Sequence, residues 1–432
     1  MERDLLLGVD HLSFIPGPRP PQIVSGEGSW LVTADGRRIL DGAGGAIVTN
    51  IGHGRRDVAE IAARSAGEVD YVIPPWATAS RIALRDRLVR SWLPDGLTQV
   101  AFCGGGSEAA ETAIRVARAY QLSIGQSERW KVIGRWPSYH GATIATLAMG
   151  GHQARRSGFA PLFPDFPHVP WDDADALDAM IEAQGPETIA AFVAEPVIGA
   201  AGGALVPSDS YFEAVAETCR RHGVLFIADE VMSGFGRTGR NFGIDHWSVT
   251  PDILYGGKGM AGGYAAINGT YATRAVVEPI AAAGQSLMFF TFGGQSSHCA
   301  VADAVLSIME DENLVERAAK MGGVLKDRLH AEFSDHPNVA DIRGLGLFLG
   351  LEFVQTREPH AWFPPATGFA ARVVGEALQR DLWVYPAGSG NAVQDAILVG
   401  PPFTITEDEI EQLVTRLRSA VDAAAKSVSY LP

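Results

Sequence analysis

The chain has 432 residues, 47% hydrophobic and 20% charged, enough for one large domain and a smaller one and unlike a disordered or low-complexity polymer. A net charge of −15 and a pI near 5.2 argue against a nucleic-acid or anionic-membrane surface. The 49 glycines and 25 prolines are scattered rather than periodic, and no apolar run nears the roughly 18 residues of a membrane helix. The opening residues carry no basic, then long apolar, secretory pattern. Cys103, Cys219 and Cys299 show neither CxxC nor metal spacing. They read as buried thiols of a cytoplasmic protein that holds no metal.

Residues 1–55, with a turn signal at Asp35-Gly36, are expected to pack with the C-terminal part. Residues 99–102 read as a strand running into Gly104-Gly105-Gly106. Residues 107–120 follow as a helix, with Ala110, Ala113, Ile114 and Ala117 at helical spacing. Short apolar strands recur at 131–133, 189–194, 224–228 and 253–255, the pattern of a largely parallel sheet covered by helices. Further on, 315–333 reads as a helix, 341–354 as strand and turns, and 369–379 as a helix. Thr406 with Glu409 makes a capping box for a last helix reaching about Lys426. The fold class is therefore α/β, with a large domain at 56–314 and a smaller α+β domain built from 1–55 and 315–432.

A polar or ionisable residue follows most of these strands: Ser107, Tyr139 and His140, Glu195, Asp229, Lys258. Open α/β sheets bind ligands beyond the carboxyl ends of their strands, so these groups should meet in one crevice. The glycine loop before Ser107 suits a phosphate through free N–H groups and the helix dipole, although such loops are common. Asp229, ending the most apolar strand, serves either as a turn cap or as the carboxylate facing a cationic ring nitrogen. Val231 would then point to the same side. Lys258 lies among glycines with no charged neighbour from Ile253 to Thr273. Desolvation there lowers its pKa and makes the amine nucleophilic, as a Schiff-base lysine requires. Tyr139 suits stacking on a flat ligand or ordinary packing, and Glu195 is a strand end or an acceptor behind the site.

In order along the chain stand Gly105-Gly106-Ser107-Glu108-Ala109, Tyr139-His140-Gly141, Glu195-Pro196, Asp229-Glu230-Val231, Gly234-Phe235-Gly236-Arg237-Thr238-Gly239, Lys258-Gly259 and Thr291-Phe292-Gly293-Gly294. This series resembles the class III (omega-) aminotransferases that depend on pyridoxal 5′-phosphate, and the resemblance runs from Gly52-His53-Gly54 to Pro401-Pro402-Phe403. It implies fold-type I. Lys258 would bind the cofactor covalently and then shuttle a proton, and Asp229 would pair with the pyridine nitrogen. Tyr139 and Val231 would flank the ring, with His140 and Glu195 in its surroundings and Gly106 and Ser107 at the phosphate. Thr291 would reach the phosphate of a neighbouring subunit, which implies a homodimer. The implied reaction is a two-stage transfer of an amino group from an amine to an oxo acid. Racemase, aminomutase or decarboxylating chemistry on the same scaffold stays open.

The departures from the family concern substrate. Relatives that handle glutamate pair a Glu with an Arg; here those places hold Ala200 and the stretch Ile397-Leu398-Val399-Gly400. Relatives that use pyruvate carry an Arg before a Pro, where this chain has Tyr385-Pro386. Ile47, Trp76 and Tyr385 are the expected substrate contacts, and pyruvate or a small aldehyde the expected acceptor. The Arg155-Arg156 segment is where an unassigned arginine could come from.

Overall fold

A computed structural model describes residues 20–390 and 392–428, so the first nineteen and last four residues of the expected small domain lie outside it. Ile23–Glu27 (β1), Trp30–Thr33 (β2) and Arg38–Asp41 (β3) form an antiparallel meander. Its second turn falls at Asp35-Gly36. Gly36 adopts φ +86°, which a side chain would resist, and the Thr33 N–H donates to the Arg37 carbonyl at 3.0 Å.

Seven strands build the central sheet: Leu97–Cys103 (β4), Lys131–Trp136 (β5), His168–Pro170 (β6), Ile189–Ala194 (β7), Leu225–Asp229 (β8), Ile253–Gly256 (β9) and Asn268–Thr273 (β10). Their order is β4-β10-β9-β8-β7-β5-β6. Only β10 runs against its neighbours. The other six point one way, so the carboxyl ends of β4, β5, β7, β8 and β9 share one edge. β7 and β8 are buried at every position, which explains their unbroken apolar sequence. The helix Gly106–Ser123 lays Ala109, Ala110, Ala113, Val116 and Ala117 into the core; these small residues let it sit close to the sheet.

The C-terminal strands Val339–Leu345 (β11), Phe348–Phe353 (β12), Leu382–Trp383 (β13), Tyr385–Ala387 (β14) and Asp395–Val399 (β15) divide between two sheets. Four of them form a sheet in the order β11-β12-β15-β14, while β13 pairs in parallel with β3. The amino-terminal meander thus shares a sheet with the C-terminal part. Helices at Leu314–Phe333, Phe369–Gln379 and Glu407–Val428 lie where the apolar spacing puts them. Thr406 and Glu409 exchange capping bonds of 2.9 and 3.2 Å. Among the described residues no helix is long and apolar enough to cross a membrane, and no cluster of three metal-ligating side chains occurs. All three cysteines are free and buried.

Candidate active site

The strand ends surround a cavity of about 350 Å³. Gly106, Ser107, Tyr139, His140, Glu195, Asp229, Val231, Lys258 and Tyr385 all line it, so nine of the residues singled out in the sequence meet there. Three others do not. Ile47 is 1% exposed and packs in an apolar cluster with Val197, Ile198, Phe348 and Leu398; its neighbour Val48 lines the cavity instead. The tight turn at Gly44–Ile47, where Ile47 itself takes φ +59°, turns that side chain away. Trp76 is 66% exposed, in a loop outside the cavity of this single chain. Thr291 is exposed in a turn that also lies outside it.

Asp229 ends β8 with its carboxylate on the cavity wall, 4% exposed. Three donors fix it: the Tyr255 hydroxyl at 2.8 Å and His140 Nδ1 at 2.7 Å on Oδ2, and the Val231 N–H at 3.0 Å on Oδ1. A carboxylate only accepts, so His140 carries its proton on Nδ1. A carboxylate fixed by three donors suits a protonated ring nitrogen.

Lys258 follows β9 through Gly257 and takes φ +42°, a left-handed conformation that a lysine adopts only when its surroundings impose it. Its Nζ donates to the Ala46 carbonyl at 2.8 Å. Burial lowers the amine from 10.5 to about 8, against the opposing pull of Asp229 and Glu195; the charges of Arg237 and Arg155 lower it further. A lysine near 8 is partly neutral at physiological pH and can attack a carbonyl carbon.

The helix Gly106–Ser123 begins without a capping side chain. Ser107 Oγ accepts from the Ala142 N–H at 3.0 Å, which leaves its own proton to donate. Open N–H groups, a hydroxyl donor and the helix dipole fit a phosphate. A Cβ on Gly106 would come within 3.3 Å of Val231 Cγ1, so glycine keeps this end of the cavity open. Glu195 accepts from the Tyr139 N–H at 2.9 Å and the Gly199 N–H at 3.0 Å. It anchors the Tyr139 backbone and joins two loops under the site, and its burial pushes its pKa up. The residues present therefore fit pyridoxal phosphate: an amine, a ring-nitrogen partner and a phosphate cup on one cavity.

On the substrate side, Ala200 and Tyr385 line the cavity, whereas Leu398 is fully buried in the apolar cluster that holds Ile47. Met232, Asn268 and Arg155 also stand on the wall. The first two follow or begin strands but carry no distinctive local signal. Arg155 belongs to a four-residue helix, Gln153–Arg156, too short for periodicity to show which way it faces.

Comparison with known proteins identifies the family. Residues 17–421 match the family described as Aminotransferase class-III. The diaminobutyrate–2-oxoglutarate transaminase of Halomonas elongata is 32% identical, the match covering 97% of this chain and 94% of the relative. The putrescine–pyruvate aminotransferase of Pseudomonas aeruginosa is 32% identical over 94% of this chain and 91% of its own. The solved structure of an (S)-enantioselective omega-transaminase from Thermomicrobium roseum superposes with a TM-score of 0.91 at 35% identity, covering 97% of this chain and 98% of that one. The chain belongs to the class III aminotransferases and has their fold-type I architecture.

Proposed function

We propose that this protein is a pyridoxal-phosphate-dependent transaminase that moves an amino group from an amine or omega-amino acid to an oxo acid, pyruvate being favoured. The observation that carries the reading is the meeting of the Lys258 amine and the anchored Asp229 carboxylate on one cavity beside an uncapped helix start. When bound, the cofactor supplies an electron sink for the charge that develops on the substrate carbon. Asp229, braced by His140, would hold a proton on the ring nitrogen. Tyr139 and Val231 would flank the ring. Lys258, its amine lowered to about 8, would take the proton from the substrate carbon and deliver it to the cofactor carbon that keeps the nitrogen, so that the substrate leaves as a carbonyl compound. Donor and acceptor use the same cavity in turn, which gives ping-pong kinetics. We assign the cofactor domain to residues 56–314 and the smaller domain to 1–55 with 315–432. The working unit is a homodimer in which Thr291 of the partner subunit completes the phosphate cup. Three free, buried cysteines accord with a cytoplasmic setting.

The acceptor follows from charge. A second carboxylate, as in 2-oxoglutarate, would meet uncharged residues at Ala200 and Tyr385 on the cavity wall. Leaving it unpaired costs several kcal/mol, on the order of 10²-fold or more in acceptor efficiency. One relative is named for 2-oxoglutarate and another for pyruvate, so the side chains, not the family, decide. Half-reaction spectra test this: the aminated holoenzyme is titrated with pyruvate and with 2-oxoglutarate. Faster reoxidation by pyruvate is expected. Faster reoxidation by 2-oxoglutarate contradicts the acceptor assignment, and failure of any amine donor to convert the cofactor form contradicts transamination.

A further inference from the structure

Arg155 and Arg156 are adjacent on one short helix, yet their guanidinium groups have different surroundings. Arg156 Nη1 donates to the carbonyls of Leu147, Ala148 and Gly150 at 2.7, 2.6 and 2.5 Å. It closes the end of the helix Ile144–Met149 and has a structural role. Arg155 makes no side-chain hydrogen bond or ion pair among the described residues. Its guanidinium instead lies 4.4 Å from the centre of the Tyr139 ring, and its side chain lines the same cavity as Lys258.

Half-buried on the cavity wall, this guanidinium keeps its donors free for a ligand. A guanidinium carries five donors and no acceptor, and its stacked face satisfies none of them. The anions already on the wall are engaged elsewhere: Asp229 by Tyr255, His140 and Val231, and Glu195 by two backbone N–H groups. The phosphate end of the cavity has its own donors at Gly106 and Ser107. Stacking on Tyr139 removes freedom from a long side chain and presents its edge as a rigid fork, the shape that matches a carboxylate with two parallel bonds.

We propose that Arg155 is the receptor for the single carboxylate of the oxo-acid acceptor, and of donors that carry one, in place of an arginine at Tyr385 or Leu398. The inference rests on the transaminase reading and deepens it. One fork receives one carboxylate, which accounts for a site suited to a monocarboxylate. Tyr139 gains a second part: besides flanking the cofactor ring, it positions the guanidinium.

The test uses holoenzyme and an unreactive probe, so that binding is read apart from turnover. Propanoate and its uncharged analogue propanamide are titrated into the wild type, Arg155→Gln and Arg155→Lys, following the cofactor's visible absorption. Removing the fork should weaken propanoate by about 100-fold, while propanamide discriminates the variants far less. Arg155→Lys should recover part of the loss, since it restores charge without the two-bond geometry. In turnover, the preference for pyruvate over propanal should fall by a similar factor in Arg155→Gln, as a KM effect. Equal propanoate affinity in wild type and Arg155→Gln overturns the proposal, as does failure of the wild type to bind propanoate. A variant that instead loses affinity for pyridoxal phosphate assigns Arg155 to the phosphate and overturns it as well. The transaminase reading fails by a different sign: a wild-type holoenzyme that no amine donor converts.

Discussion

Asp229 shows how much one carboxylate depends on its supports. Three donors hold it, so Asp229→Asn should keep the shape of the site and lose the charge facing the ring nitrogen. Turnover should fall by about three orders of magnitude or more, roughly 4 kcal/mol of transition-state stabilisation, with cofactor still bound. Near-normal single-turnover rates in stopped flow would make the residue merely structural. Lys258 offers a pH prediction. Burial depresses the amine to about 8, so its reactive neutral form accumulates as pH rises through 8 rather than through 10.5. The rate at which apoprotein captures pyridoxal phosphate should therefore be half-maximal near pH 8 and level off about a unit above it. A rate still rising steeply past pH 9.5 would show an ordinary, solvated lysine.

Among the elements, the turn that delivers Lys258 is the most constrained. A Cβ on Gly257 would fall 1.6 Å from Asn268 Oδ1 at the start of β10. Gly257→Ala should lower the denaturant midpoint by the equivalent of about 1–3 kcal/mol and displace Lys258; an unchanged midpoint with normal cofactor capture would contradict this. The same turn explains what the sequence disclosed. β7, β8 and β9 were legible because strands buried on both faces are apolar without interruption, and the group that follows each stands out against that background. Asp229 and Lys258 belong to this class. β10 was passed over, because Asn268-Gly-Thr-Tyr-Ala-Thr273 mixes polar and small residues, which only its antiparallel place between β4 and β9 accounts for. In the sequence Tyr255 is only part of a strand; its contact with Asp229 leaves no local pattern, since it joins two strands. Ile47 was expected at the substrate and is instead core, turned inward by a backbone conformation that its identity does not signal. Arg155 could be named only as part of a segment.

At the level of the whole molecule, the loops at 70–76 and 287–294 are bound together. Arg81, 8% exposed, donates to the carbonyls of Val72, Ile73, Pro74, Trp76 and Gly294. The two loops expose Tyr71, Trp76, Met288, Phe289 and Phe292, the last packed edge-on against Tyr71 with ring centres 6.1 Å apart. A large exposed apolar patch marks an interaction surface; the proposed homodimer would cover this one, with Thr291 inside it. Sedimentation at assay concentration should give a dimer. A chain carrying Thr291→Ala mixed with one carrying Lys258→Ala should regain activity, because one site of each hybrid then has both residues intact. A fully active monomer, or no recovery on mixing, would contradict a shared site.

The central claim is that Lys258 binds pyridoxal phosphate covalently at the edge of the central sheet. Borohydride reduction of the purified holoenzyme, followed by peptide mapping, tests it most directly. The reduced cofactor should be found on Lys258 alone, and Lys258→Ala should yield no adduct; an adduct on any other lysine would contradict the account.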